Sequence, residues 1–169
     1  ARQAVYDQLK EDAYTKGIVV TTTILSRDQD AAYQSLRRNV LAYDQRHGYR
    51  GPEATIELPD NADQRDDAID EALQKRRSSD GLLPAVVLAA SPKTVKVQTV
   101  DGETVDIQGA GLKFAAAGLA ANAKPAMRLT PGAIVRVSKE GKSWSIVQLP
   151  QVSAAFVSID AATGAYHAL

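Results

Sequence analysis

At Gly81 the period of this chain changes, and that change limits its fold more than any other feature. Upstream, Ala32, Leu36, Val40 and Tyr43 recur at spacings of four and three, the pattern of one apolar helix face. Downstream the pattern is that of strands. Residues 85–90 are a continuous apolar run, 94–100 alternate through Val95 and Val97, and Asp101-Gly102 is a hairpin turn before 104–108 with Val105 and Ile107. Residues 109–131 are rich in Ala and Gly and predict a loose loop holding one short helix, anchored by Leu112, Phe114 and Leu119. Residues 133–137 and 144–149 then form a second hairpin across Lys139-Glu140-Gly141-Lys142. Three strands, a loop or short helix and two more strands are the order of an OB-like five-stranded β-barrel. An SH3-like barrel is the competing arrangement.

The first half reads as helices around one strand. Val5, Leu9 and Ala13 give a helical opening, and Gly17 ends it. Residues 18–24, almost all β-branched, predict a strand. Ser26 stands three residues before Gln29, a capping-box spacing, so a helix is expected over 27–46, closed by Arg46, His47 and Gly48. Asp60 or Asn61 caps a third helix carrying Ala68, Ile69, Ala72 and Leu73, with its acids first and its bases last. Ser78-Ser79-Asp80-Gly81 reads as a linker. The tail, 156–169, reads as a hairpin closed at Gly164, and its stripe-bearing partner is expected to be the helix over 27–46. The fold class is therefore α+β: a barrel insert plus a small helix-on-antiparallel-sheet subdomain made from both chain ends. The uncapped first helix and the apolar last strand lead to the expectation of an excised piece of a larger protein.

Composition removes several classes of function. Lys and Arg number 20, as do Asp and Glu, so the chain is neither a globally basic nucleic-acid binder nor an acidic tail. The second half is mildly cationic. Absence of cysteine excludes a disulfide framework, a zinc ribbon and a thiol nucleophile. His47 and His167 lack metal-ligand spacing, and the acids between Asp60 and Glu71 lack the glycine-centred loop that binds calcium, so a solvated helix face is the better reading. Gly109-Ala110-Gly111 begins like a dinucleotide loop, but no third glycine follows. Arg37, Arg38, Arg46 and Arg50 are candidates for anion contact, with solubility as the plainer role. Trp144 is expected in the barrel core. No metal, cofactor or catalytic residue is predicted.

The run Asn39-Val-Leu-Ala-Tyr-Asp-Gln-Arg-His-Gly-Tyr-Arg-Gly-Pro52, with Tyr14-Thr-Lys-Gly17, the Val20–Ile24 stretch and the helix after it, resembles the segment between the glycosyltransferase and transpeptidase domains of class A penicillin-binding proteins. The likeness returns at Ala155–Leu169, similar to the first hairpin of the transpeptidase sheet. Between these segments the family carries an OB-like insert. The resemblance implies a linker and first transpeptidase-domain helix over 1–59, a helix and connector over 60–81, an OB-like domain over 82–150 and the truncated transpeptidase hairpin over 151–169. The family's nucleophile lies in Ser-x-x-Lys, with Ser-x-Asn and Lys-Thr-Gly beside it. No serine here has lysine three residues on, no Ser-x-Asn occurs, and Lys93-Thr94 is followed by Val95.

The resemblance therefore implies a non-catalytic architectural and regulatory piece of a bifunctional peptidoglycan synthase, on the periplasmic side of the bacterial inner membrane. Its implied partners are the adjacent glycosyltransferase and transpeptidase domains, an outer-membrane lipoprotein activator or peptidoglycan, and not nucleic acid. The alternative is an autonomous OB-fold module that binds oligonucleotides or oligosaccharides. Against nucleic acid, residues 82–150 offer only Phe114 and Trp144 for stacking.

Overall fold

The computed structural model describes residues 2–169, and the chain divides into two compact units. One comprises the residues up to Leu41 together with Ser153–Leu169, the other Ala42–Val152. The first helical stretch is broken: α1 (Arg2–Leu9) and α2 (Asp12–Thr15) are separated where Lys10 takes a φ of 52°. Residues 18–24 do not form the expected strand. They carry β-branched side chains but find no ladder to join, and Val19 is 90% exposed. Propensity without a cross-strand partner does not make a strand. Helix α3 (Ser26–Arg46) follows as expected.

The second unit is built on one long strand that pairs along both edges. After β1 (Ala54–Thr55) comes α4 (Ala62–Gln74), whose cap is Asn61: its side-chain oxygen accepts from Gln64 N–H at 3.1 Å. The stretch read as a linker is instead a tight turn, with Asp80 at φ 50° and a bridge between Ser79 and Leu82. Then β2 (Leu83–Ala90), β3 (Thr94–Thr99) and β4 (Thr104–Gln108) form the antiparallel meander. Residues 109–131 are not a loose loop. They fold as a 3₁₀ turn at Gly109–Leu112, α5 (Ala116–Leu119) and a second 3₁₀ turn at Pro125–Met127, with Leu112, Ala115, Ala123 and Leu129 buried. Strands β5 (Ala133–Glu140) and β6 (Ser143–Val147) complete the unit.

Strands occupy all five expected positions, yet they do not make a five-stranded closed barrel. They belong to a six-stranded sheet, ordered β1-β5-β2-β3-β4 with β6 also on β5. β2 takes one edge of β5, while β1 and β6 share the other at Ala133–Ile134 and Arg136–Glu140. Among the described residues no ladder joins β4 to β6. The 3₁₀ turn fills that seam: Gly111 is buried, and a Cβ there would collide with the Trp144 carbonyl oxygen and lie 2.8 Å from Ile107 Cγ2.

The apolar run of β2 is continuous because both of its faces are covered. Ala85 and Val87 join Val95, Val97, Ile107, Val135, Val137 and Ile146 in the larger core. Val86 faces the other way, with Ile134, onto Ile69, Ala72 and Leu73 of α4.

The tail pairs β7 (Ser158–Ile159) with β8 (Tyr166–Ala168). Asp160 organises the turn between them, its Oδ1 accepting from Thr163 Oγ1 and Thr163 N–H at 2.8 Å each and from Ala162 N–H at 3.0 Å. β8 meets the start of α3. Leu25 N–H donates to His167 O at 3.3 Å and Thr23 Oγ1–H to Tyr166 O at 2.7 Å. Gln29, expected to close a capping box, instead has its Oε1 accept from Leu169 N–H at 2.9 Å. Of the expected stripe on α3, Ala32 is buried and Leu36 and Val40 are half-buried, whereas Tyr43 is exposed and stacks on His47.

The seam generates a test. Gly111→Ala should lower stability by about 1–3 kcal/mol, the ordinary effect of overpacking against a neighbour that cannot move aside. Urea unfolding followed by Trp144 fluorescence measures it. An unchanged midpoint would show that the turn does not press on β6.

Candidate functional site

A carboxylate in the last turn of a helix faces the negative end of the dipole and is disfavoured there. Asp44 holds such a position at the end of α3 and is only 4% exposed. Burial adds to the cost, so it persists only because specific donors meet it. Asp44 Oδ1 accepts from Arg50 Nη1 at 2.9 Å and from Gln151 N–H at 3.2 Å; Oδ2 accepts from Gln148 Nε2 at 2.8 Å. The donors bind one another as well. Arg50 N–H donates to Gln148 Oε1 at 3.1 Å, Arg50 Nη2 to Leu149 O at 2.8 Å, and Gln148 Nε2 to Gly48 O at 3.0 Å. The two stretches so joined, 44–50 and 148–151, are where the chain enters and leaves the second unit. This network is a clasp.

Burial alone would raise the Asp44 carboxyl. The hydrogen bonds from Arg50, Gln148 and Gln151, with the Arg50 charge, outweigh it and hold the carboxyl below the usual carboxylate value. Asp44 has no nucleophile in its network and three donors on its two oxygens. It binds the chain to itself rather than moving protons. Beside it, burial pushes the Tyr49 phenol up, and its hydroxyl has no hydrogen-bond partner.

A second ion pair joins Glu53, just before β1, to the buried Arg136 of β5. Arg136, 4% exposed, donates from Nε to Glu53 Oε1 at 2.6 Å and from Nη1 to Arg77 O at 2.7 Å. Arg76 joins the same carboxylate at 3.4 Å. Near the start of α4 lies a cleft of about 590 Å³ lined by Pro59, Asp60, Arg65, Asp66, Gln98 and Thr104.

The residues singled out in the sequence scatter. His47 is exposed, with Nδ1 2.9 Å from Tyr43 O, and His167 is half-buried in β8. The acids from Asp60 to Glu71 lie on exposed turns of α4 and its cap. Among the described residues no group of three or more His, Asp or Glu is placed to hold a metal ion. Gly109–Phe114 is the seam-filling turn rather than a phosphate loop. Arg46 lies 5.7 Å from the Tyr43 ring centroid. Arg50 alone of the four arginines enters the clasp. Trp144 is half-buried on the core, with Lys139 Nζ 5.1 Å from its ring. Asp44, Gln148 and Gln151 were not singled out in the sequence. The signal that marks Asp44 is its place against the helix dipole.

The model of the penicillin-binding protein OB-like domain matches residues 49–152. The chain belongs to this family. It is 37% identical over 169 residues to penicillin-binding protein 1A of Neisseria lactamica, covering 99% of this chain and 21% of that relative. Against penicillin-binding protein 1A of Escherichia coli K12 the identity is 34% over 174 residues, covering 99% and 20%. The solved structure of penicillin-binding protein 1A from Haemophilus influenzae superposes with a TM-score of 0.77 at 26% identity, over 99% of this chain and 24% of that one. The chain thus spans about a fifth of the curated relatives it matches. It is an OB-like region of the class A penicillin-binding proteins, as the motifs at 14–52 and 155–169 implied. The matched stretch begins and ends at the clasp, with Arg50, Gln148 and Gln151 inside it and Asp44 just before. Among the described residues no helix is long and apolar enough to cross a membrane.

Asp44→Ala should cost about 1–3 kcal/mol, because it leaves buried donors unpaired. The acid limb of stability should change too. A lowered native value means the ionised carboxylate contributes in full above the unfolded value of about 3.9. That contribution is lost as pH falls through the native value. Melting temperature against pH should therefore fall less steeply below about pH 4 in Asp44→Asn than in the parent. Parallel acid limbs would refute the role given to the ionised clasp.

Proposed function

We propose that this chain is the non-catalytic, architectural and regulatory part of a bifunctional peptidoglycan synthase that acts in bacterial cell-wall synthesis. The carrying observation is the clasp. It fixes the entry and exit of the OB-like unit against each other at the limits of the family match, which suits a domain inserted into a longer chain. On this reading, 1–59 are the linker and first transpeptidase-domain helix, 60–81 a helix and connector, 82–150 the OB-like domain and 151–169 the first transpeptidase hairpin.

The glycosyltransferase and D,D-transpeptidase activities then belong to the parent protein, anchored in the inner membrane, with this part on the periplasmic side. Its neighbours there are the catalytic domains of the same chain. Support comes from the first unit, where Val19, Val20, Val157, Ile159 and Leu169 are exposed side chains of a kind that a neighbouring domain buries. An outer-membrane lipoprotein activator or peptidoglycan is the further partner that the family implies. No residue of this chain is assigned a catalytic, cofactor or metal role.

Two measurements test this. Incubation with a fluorescent penicillin followed by intact mass should show no adduct, since acylation needs an activated serine with a base beside it. A stoichiometric acyl adduct would overturn the non-catalytic assignment. In the parent-length protein, hydrogen exchange at 18–20 and 157–159 should be slower than in this chain alone. Equal exchange would remove the domain-neighbour role of that surface.

A further inference from the structure

The folded segment between β4 and β5 carries a shallow groove that lies outside the clasp. Its two lobes, of about 470 and 280 Å³, lie on either side of the Leu119–Ala121 spur. Pro92 borders both; Leu112 and Ala116 line one, and Ala90, Gly118 and Leu129 the other. One lobe is lined chiefly by small or branched apolar side chains; the other is more polar, with Ser91 and Arg128 beside Ala90, Pro92 and Leu129. Lys113 and Arg128 line the groove, Lys93 follows the lining Pro92 in the chain, and Lys124 lies three residues beyond the lining Ala121; all four are exposed. None of them is within ion-pair distance of a carboxylate among the described residues, and Arg128 caps the carbonyl of Ala123 at 3.2 Å. Neither 81–100 nor 107–139 contains an Asp or Glu. The charge of the rim is therefore uncompensated.

We infer that this groove docks an acidic protein segment whose small or branched apolar side chains seat between Pro92 and Leu119. The inference rests on the reading that the OB-like unit presents a partner surface, and does not depend on the clasp. Charge complementarity selects the acid. The shape and composition select a peptide. Single-stranded nucleic acid and sugars favour aromatic platforms, and the nearest ring, Phe114, is half-buried and edge-on to Tyr49 at 5.8 Å. A membrane surface calls for projecting bulky apolar groups, whereas this floor is concave and built of alanine, proline and leucine. The exposed Ala116, Ala120 and Ala121 let a peptide backbone come close, and two small lobes suit alternate side chains of an extended segment.

The test uses the whole chain, immobilised, and a library of random short peptides displayed on phage, selected at physiological salt. Enriched sequences should carry net negative charge with at least two apolar residues. Their synthetic peptides should lose about tenfold or more in affinity for the triple variant Lys93→Glu, Lys113→Glu, Lys124→Glu. These three lysines are exposed and unpaired, so the variant should melt like the parent. If it does not, Lys113→Gln alone should still weaken binding and flatten its salt dependence. Amide shifts on adding peptide should fall in 90–93 and 109–129.

No enrichment, a neutral or basic consensus, or shifts elsewhere would overturn the inference. Tighter binding to phosphatidylglycerol vesicles or to a mixed-sequence oligonucleotide would replace the peptide with a membrane or nucleic acid. A salt-sensitive dimer abolished by Asp66→Lys with Asp70→Lys would make the occupant a second copy's α4. Loss of the groove's ligand would leave the penicillin and exchange results untouched, so the two readings fail separately.

Discussion

The neck of the second unit is held by a carboxylate that local rules would not place there. Asp44 sits at the wrong end of a helix and out of water, and its ionised form survives because Arg50, Gln148 and Gln151 all point at it. These donors come from segments about a hundred residues apart, so the acid does more than satisfy itself: it closes the loop that contains the second unit. Closing such a loop costs entropy that grows only slowly with its length. A few charge-assisted hydrogen bonds at the crossing then constrain everything between them. This is why a polar node, rather than another apolar contact, suits the neck of an inserted unit: its geometry admits one register of the two crossing segments.

Inside that loop the sheet solves a different problem. A strand at the centre of two layers must be apolar on both faces, and β2 is, with Val86 under α4 and Ala85 and Val87 in the larger core. Helix α4 is thin in apolar residues, yet Ile69 and Leu73 are almost wholly buried. Burying such side chains fully is worth roughly 1.5–3 kcal/mol each, enough to hold a short helix whose remaining face is charged. Just past the C-terminus of the same helix, Arg77 O accepts from Arg136 and Arg76 pairs with Glu53. The acids of α4 are then free to face solvent.

What could be read from the sequence follows from how local each signal is. The alternation at 94–108 and the Asp101-Gly102 turn depend on neighbours along the chain, and the strands fall where those patterns put them. The Asn61 cap was legible for the same reason. The strand expected at 18–24 failed because a ladder needs a partner, and β8 reaches only its far end. Barrel closure failed on a single contact, since Gly111 rather than a β4–β6 ladder fills the seam, and no periodicity encodes that. The clasp was illegible as a network because its members lie far apart, although Asp44's misplacement in the last turn of α3 was there to be noticed. The family motifs identified the family where local physics could not, without revealing what holds the second unit together.

The neck and the groove are not independent parts of the unit. Gly118, on the groove wall, lies against Tyr49, whose Cε1 would be 2.8 Å from a Cβ at that position, and Gly51 packs on the backbone of Ala126. Tyr49 is buried, its hydroxyl unpartnered, and it is bonded directly to Arg50 of the clasp. Close packing leaves no slack between these groups, and packed interiors transmit strain rather than absorb it. Gly118 on the groove wall and Arg50 of the clasp are thus linked through one side chain and one peptide bond. The same short path explains why the segment between β4 and β5 is folded although half of its residues are alanine or glycine. Its anchors, Leu112, Ala115 and Leu129, share their core with Tyr49. The segment is held by the neck as much as by the sheet.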